Sequence, residues 1–552
     1  MTTRIHFQAV LTAVEAFAEQ ALKMQVLDPS DRNYGGFSCP ELWVCEPWTA
    51  ANTFTSLVVL YLTPDSQYYH SSELLGRMHL ALQFVLSSQY EDGTIDGYFC
   101  GDMRSASNVA FASYSLLRAY RWLSRKQAQY KGLLQQIENF LRKGVNALKT
   151  RPLFASHHCW VAAAVLVEFD KLFVDHTATL KAENYLHDGI DINNDGVYSE
   201  QSPHYSMLSN AMLLSVGERL SRPILLEFVR RNLNFSLYNF HASGEIATEF
   251  SHHKTVESGM PSGYGVWKRM SIIDHNGYYA AAGDLTLTTY LRRVHNGLLQ
   301  PYLNHPNPSF KKEGSSRLFM TSDIGELLAI ESELNNDWIT RLPIPRQYEK
   351  VYSQSSIARI RSDKMSGTII GCNNILFALQ NGKAIIDGFR IKYLYHGFRD
   401  YEPTALVVDR NVYVIQNEVT QWVCHPTPKR REVIPLELKI IIEIERIDDG
   451  FELKFATYGY EQIPLQLEFG LRKQGTLYIG NMEYDLSQTD LVFLDKEPAR
   501  IVSGEDEIQI DGGRTEHQIY SFDDDWTVNL ETARLLITPT TPYDGVIRIT
   551  CR

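Results

Sequence analysis

Apolar side chains recur at helical spacing from residue 5 to about residue 330. In 7–22, Phe7, Val10, Leu11, Val14, Phe17, Ala18, Ala21 and Leu22 form one stripe, with Glu15 and Glu19 opposite, which predicts an amphipathic helix. Similar stripes run through 71–89 (Leu74, Met78, Leu82, Val85), 105–124 (Val109, Phe111, Leu116, Leu117, Tyr120) and 128–148 (Leu133, Ile137, Phe140, Leu141, Val145). Further helices are expected at 155–174, 177–187, 204–220, 223–240 and 279–294, separated by breaks of Gly, Pro, Asp and Asn. Four links, 28–51, 90–104, 188–203 and 241–268, are longer than a turn needs and rich in Gly, Asp, Tyr, Trp and His. Their spacing predicts successive helical hairpins with loops gathered at one end, an incomplete helical barrel or α/α toroid.

Beyond residue 345 the period changes to two. Ile357–Arg361, 367–371, 412–415, 436–442, Phe451–Phe455, 467–469, 477–479, 508–510 and 545–549 read as strands, many alternating apolar and polar residues. This half is expected to be an antiparallel β-sandwich. The predicted organisation is a helical domain over 1–335 and a strand domain over 346–552, with Pro343 and Pro345 in the short linker.

Composition narrows the class. A chain of 552 residues exceeds one ordinary core, which agrees with two domains. A net charge of -12 argues against nucleic acid and anionic membranes as partners, yet leaves room for a local cationic cleft. The Tyr and Trp content suits sugar rings as well as core packing. Cys39, Cys45, Cys100, Cys159, Cys372, Cys424 and Cys551 are sparse and form no C-x-x-C pair, so neither a zinc ribbon nor a redox motif is expected. Reduced thiols, no apolar leader at the N-terminus and no membrane-length apolar run point to a cytoplasmic protein. No phosphate loop, dinucleotide fingerprint, Gly-x-Ser-x-Gly elbow or His-Glu-x-x-His motif occurs.

Five blocks in the helical half carry a resemblance. They are Asn33-Tyr34-Gly35-Gly36-Phe37, Gln89-Tyr90-Glu91-Asp92-Gly93-Thr94-Ile95-Asp96, Asn108-Val109-Ala110-Phe111, His157-His158-Cys159-Trp160, and the run from Asp195 through Ser202-Pro203-His204-Tyr205. Together they resemble the heparinase II/III-like and alginate lyase group of polysaccharide lyases, over about residues 30–290. That resemblance implies β-elimination of glycans containing uronic acid, with no cofactor required. It also implies catalytic roles for Tyr205, in a Ser-Pro-x-Tyr setting, and His158. His157 stands where the group commonly has Asn, which is a departure. The usual histidine signal of the strand domain is missing, and Tyr395-His396-Gly397 is the nearest substitute.

The chemistry agrees with those residue types. β-elimination must neutralise the C5 carboxylate, remove the C5 proton and protonate the O4 leaving group. Tyr205 suits the acid and also the base, His158 the base or a field that activates the phenol, and His157 the carboxylate. The alternatives are a helix-capping His157-His158 pair and an ordinary interior Tyr205. His253, Arg269 and Lys268 are candidates for a cationic wall, and Trp48, Trp160 and Trp267 for sugar stacking; a solvated loop and core packing compete. Asp191-Ile192-Asn193-Asn194-Asp195-Gly196 opens like a calcium loop, but Ser202 occupies the twelfth place, so an Asx-rich turn is expected and no metal site. Asp96, Asp102, Asp195 and Glu200 support a rival reading, a glycoside hydrolase on the same toroid. A silent glycan-binding protein is a third. In each case the partner is an anionic oligo- or polysaccharide; oligomeric state is left open.

Overall fold

Several helix starts in the first half follow capping chemistry, and the elements they define are seen in a computed structural model. It describes residues 5–38, 44–98, 101–252, 259–295, 324–395, 397–417, 420–424, 431–435, 438–522 and 532–552. The helices are α1 (Phe7–Met24), α2 (Pro47–Leu62), α3 (Ser72–Ser87), α4 (Ala106–Ser124), α5 (Lys131–Thr150), α6 (Ser156–Phe173), α7 (His176–His187), α8 (Pro203–Arg219), α9 (Pro223–Ser236), α10 (Tyr264–Asp274), α11 (Gly277–His295) and α12 (Gly325–Glu333). Ser71 caps α3, Ser105 caps α4 and Asp175 caps α7, each by accepting a backbone N–H of the first turn. Proline opens α2, α8 and α9, where its missing donor costs nothing.

The helices alternate between two environments. α2 is buried on nearly all sides, whereas α5 buries one face through Leu133, Ile137, Phe140, Leu141 and Val145. α2, α4 and α6 pack side by side as inner helices, and each carries its successor, α3, α5 or α7, on its outer flank. α12 returns to α2: Gly325 N–H donates to Ser56 Oγ at 3.0 Å. A Cβ on Gly325 would lie 2.4 Å from Ser56 Cα, so only glycine allows this approach. The architecture is an α/α toroid. Three of its helices, α2, α10 and α12, escape the periodicity analysis. α2 has no polar face to mark it, and α10 begins inside a segment that reads as a link.

The strands are β1 (Ile95–Gly97), β2 (Asp102–Ser105), β3 (Gln347–Tyr352), β4 (Ile357–Ser362), β5 (Met365–Ile370), β6 (Phe377–Asn381), β7 (Ala384–Leu394), β8 (Phe398–Asp400), β9 (Ala405–Asp409), β10 (Val412–Gln416), β11 (Thr420–Cys424), β12 (Arg431–Pro435), β13 (Leu438–Ile447), β14 (Gly450–Gly459), β15 (Leu465–Arg472), β16 (Thr476–Ile479), β17 (Met482–Asp485), β18 (Leu491–Phe493), β19 (Ala499–Ser503), β20 (Asp506–Asp511), β21 (Thr532–Ile537) and β22 (Gly545–Cys551). β1 and β2 form a hairpin before α4. One large sheet runs β17-β16-β19-β20-β22-β14-β13-β10-β9 and the other β18-β21-β15-β7-β6-β5-β4-β3, with β8 also on β7. Pairing is antiparallel except between β18 and β21. Alternate residues, among them Ile360, Phe377, Phe389, Phe469, Ile442, Phe451 and Ile549, fill the layer between the sheets. This is the expected β-sandwich.

Compactness divides the chain into two units: Met1–Asp191, Met207–Arg230 and Ser262–Pro343 in the first, Ile192–Ser206, Arg231–Pro261 and Ile344–Arg552 in the second. The sequence places one joint near 335–346; two segments from the helical half nevertheless group with the strands. They cover the second face of the β3–β7 sheet. Tyr348 Oη and Arg359 Nε donate to the Tyr238 carbonyl (2.7 and 3.2 Å), Arg361 Nη1 to that of Phe240 (3.2 Å) and Asn373 Nδ2 to that of Glu249 (3.0 Å).

The Asx-rich turn belongs to the same cover. Asn193 Nδ2 donates to Ser355 Oγ (2.8 Å), and Asp195 Oδ2 accepts from Ser355 N (2.9 Å). Its polar groups fasten the turn to the β3–β4 connection. Among the described residues no cluster of His, Cys, Asp and Glu suits a metal, and no helix is long and apolar enough to cross a membrane.

Candidate functional site

The loops before α2, α4 and α6 meet at one end of the toroid. Tyr98 N–H donates to Glu46 Oε2 (2.9 Å), joining the β1–β2 hairpin to the N-cap of α2. Ser105, at the end of that hairpin, caps α4 by accepting from Asn108 N (3.1 Å). Ser107 Oγ lies 3.0 Å from His158 Nδ1 and ties the first turn of α4 to that of α6. Three helix N-termini therefore open on one mouth. Helix dipoles pointing at such an end favour an anion there.

The two histidines sit at this mouth. His157 is buried and His158 half-buried. Their rings lie 4.2 Å apart at 70°. The Ser107 hydrogen bond fixes the orientation of His158, and Phe111 meets its ring edge-on at 5.7 Å. Trp48 lies against Phe111 at 5.6 Å, so this predicted stacking residue belongs to the same cluster. Burial, with Asp191 adding to it, pushes the neighbouring Cys159 thiol up. It stays protonated at neutral pH, which argues against a Cys–His nucleophile.

Asn108 was quoted in the sequence for its block and not for a role. Its Nδ2 is buried and has no hydrogen-bond partner among the described residues. It rests against Gly97, where an added Cβ would approach it to 1.8 Å. An unpaired buried amide costs about 1–3 kcal/mol, which marks Asn108 as a donor without an acceptor. The signal in the sequence is only its place, the third residue of a helix that Ser105 caps.

Three of the four carboxylates of the hydrolase reading, Asp96, Asp102 and Asp195, are occupied in holding loops. Asp96 accepts from Tyr90 Oη (2.7 Å) and from Arg104 N (2.8 Å). That hydrogen bond raises the Tyr90 phenol above its ordinary pKa; burial, then Asp96, does the same for Tyr98. Asp102 accepts from Ser105 Oγ, and Asp195 is bound as described above.

The remaining predicted residues are placed as follows. Tyr205 is half-buried in the first turn of α8, in the second unit, with Ser202 as N-cap (Tyr205 N to Ser202 Oγ 3.1 Å). Its ring meets that of exposed His204 edge-on at 5.6 Å. Trp160 is buried on α6, with its indole N–H unpaired among the described residues. Arg269 is exposed and pairs with Glu218 through Nε (2.8 Å) and Nη2 (2.6 Å). Lys268 is buried against Glu331 and Tyr264 instead of facing solvent. His253 and His396 lie outside the described residues.

The second unit holds a buried charged layer that the sequence analysis does not anticipate. Arg472 bridges Glu245 (2.8 Å) and Asp387 (2.5 Å). Arg359 reaches Ser366 (3.0 Å) and Thr368, and Thr368 donates to Glu249. His241 contacts Ser366 Oγ at 3.0 Å. Burial, with Arg359, Arg472 and Arg361 nearby, holds its imidazole well below the ordinary value. Charged residues rarely go inside unless paired, and no local pattern along β4, β7 and β15 shows which partners will be there.

No family model matches the chain, and no curated protein matches it. Solved structures do, and they define its class by fold. A Paenibacillus xanthan lyase aligns at 11% identity over 99% of this chain, with a TM-score of 0.57. The chain spans 56% of that protein's length. A Streptomyces coelicolor chondroitin AC lyase, solved with chondroitin sulphate, aligns at 11% identity over 98% of this chain and 78% of its own, with a TM-score of 0.52. A heparinase III gene product gives 11%, 98%, 84% and 0.50 for the same measures. The chain therefore has the toroid-plus-sandwich fold found in polysaccharide lyases. At such identity the likeness is one of fold.

Proposed function

We propose that this chain is a polysaccharide or oligosaccharide lyase that splits glycans containing uronic acid by β-elimination. The observation that carries the reading is the His157-His158 pair at a mouth formed by three helix N-termini, on a fold similar to that of a xanthan lyase and a chondroitin AC lyase. In this reading His157 and Asn108 donate to the C5 carboxylate. That withdraws charge from it and makes the C5 proton acidic. His158 takes the proton as base. Electrons of the C5–H bond form the C4–C5 double bond, the C4–O4 bond breaks, and O4 takes a proton, a role for which the resemblance offers the phenol of Tyr205. Donors placed for the enolate-like state act most strongly where water is excluded.

Asn108 supplies the amide that the His157 position lacks. A tyrosine that serves as both base and acid is the variant mechanism. The two differ in whether Tyr205→Phe alone blocks both proton transfers.

The test is a screen of heparan, hyaluronan, alginate and pectin-type oligomers for the ultraviolet absorbance of a double bond conjugated to the C5 carboxylate. New reducing ends without that absorbance would favour hydrolysis and defeat the lyase reading. Binding without any cleavage would favour a silent glycan-binding protein.

A further inference from the structure

Strand β2 carries a cation that no step of the elimination uses. Arg104 directly precedes Ser105, the cap of α4, and Ser107, three positions further on, holds His158. At one Cα step per residue, Arg104 and Ser107 are at most ~11 Å apart, which puts Arg104 on the rim of the mouth that holds the two histidines. Its side chain is 60% exposed.

The backbone of Arg104 lies in the left-handed region, at φ +50°, where a side chain is strained and glycine is not. Asp96, itself buried, holds it there: its Oδ1 accepts the Arg104 N–H (2.8 Å). The other oxygen of the same carboxylate accepts from Tyr90 Oη (2.7 Å). The Arg104 guanidinium lies over the Tyr90 ring, with Cζ 4.4 Å from its centre. One buried carboxylate therefore sets both the ring and the backbone of the residue above it.

This arrangement restrains the guanidinium without using its donors. A ring attracts the cation but offers it no lone pair of the carboxylate kind. Asp92 Oδ2 is 3.9 Å from Arg104 Nη1, too far for a hydrogen bond. That oxygen is 2.6 Å from Arg151 Nη2, and Asp92 Oδ1 accepts the Thr94 amide (3.1 Å) and hydroxyl (2.6 Å). A merely solvated arginine has no need of a strained backbone, because water satisfies it from any rotamer.

We propose that Arg104 is a specificity-determining residue that binds an oxyanion, carboxylate or sulfate, on the sugar next to the uronate that is cleaved. The planar fork of a guanidinium matches either group through two parallel N–H···O bonds. The substrate class follows: glycans acidic on successive rings, not those in which uronate alternates with a neutral sugar. The inference deepens the lyase reading and rests on it for the place of the cleaved uronate.

Calorimetric titration of the full chain with short oligomers of galacturonate, heparin and hyaluronan tests this. The first carries a carboxylate on every ring, the second sulfate on the sugar beside each uronate, the third an uncharged sugar there. The wild type should bind one of the first two about tenfold more tightly than hyaluronan, the worth of one charge-assisted contact, and the one that gains identifies the oxyanion. Arg104→Gln should remove that margin and leave hyaluronan binding unchanged. Arg104→Gly should remove it too while the melting temperature holds or rises, since glycine relieves the backbone. Lost binding with a lowered melting temperature in Arg104→Gly marks a structural arginine and overturns the proposal. Equal affinity for all three oligomers, no binding of any, or a margin that survives in Arg104→Gln overturns it as well. Ultraviolet absorbance on the same oligomers reports on elimination separately. Absorbance with a margin indifferent to Arg104 removes this residue and spares the lyase reading; an Arg104-dependent margin without absorbance defeats the lyase reading and keeps Arg104 as a glycan-binding residue.

Discussion

His158 is the residue whose surroundings most constrain the chemistry, because Ser107 and Phe111 fix its ring on two sides. His158→Ala should lower turnover by about 10²–10⁴-fold, the usual worth of a positioned proton-transfer group, with little change in melting temperature. Tyr205→Phe should do the same; full activity in that variant would remove the phenol from the mechanism. A different histidine reports on stability. His241 is neutral in the folded chain because burial and three arginines oppose its proton. Unfolded, it takes up a proton near its ordinary pKa of ~6.5. Below that pH the unfolded state binds more protons, so the contribution to stability is full above it and shrinks as pH falls. The wild-type melting temperature should therefore drop more steeply between about pH 6.5 and 5 than that of His241→Gln. Parallel curves would contradict this assignment. Of these residues, Tyr205, His157 and His158 are candidates that motif and helix position put forward, and their roles are proposals. Asn108 and His241 are not put forward in this way, since a lone polar residue gives no sign of losing its solvent.

Among the elements, the β1–β2 hairpin and α4 depend on each other at one atom pair. Gly97→Ala would drive a Cβ into the buried Asn108 amide, and overpacking of this kind costs ~1–3 kcal/mol. Urea unfolding should show that loss, and elimination should fall further than stability alone explains if Asn108 serves the carboxylate. α10 and α12 are joined by the Lys268–Glu331 pair, both side chains nearly sealed from solvent. Lys268→Met strands a buried carboxylate and should destabilise by ~3–5 kcal/mol, while the double change with Glu331→Leu should recover much of it. Amphipathic α5 and the alternating strands β13 and β14 were plain in the sequence. α2 was not, because a helix apolar on every side has no stripe. β7 was missed for the opposite reason: Asp387, Arg390 and Lys392 look solvent-facing, yet all are buried.

For the whole molecule, the two units do not correspond to two halves of the chain. Residues 231–261 supply carbonyls to Arg359 and Arg361, His241 to Ser366 and Glu249 to Thr368. A fragment starting at residue 344 would expose that charged sheet face without its partners. It should be poorly soluble and lack the near-ultraviolet circular dichroism expected of a packed sandwich; a cooperatively folded fragment would show that the cover is dispensable. The sequence by itself determined the order of helical and strand halves and the stripes and alternation that mark most of their elements. Those are local properties, carried by spacing and by single side chains. Which charged face is buried, which loop segments cover it and which amide is left unpaired were decided only by tertiary packing. Burial depends on what residues distant in the chain place alongside, and no local pattern contains that information.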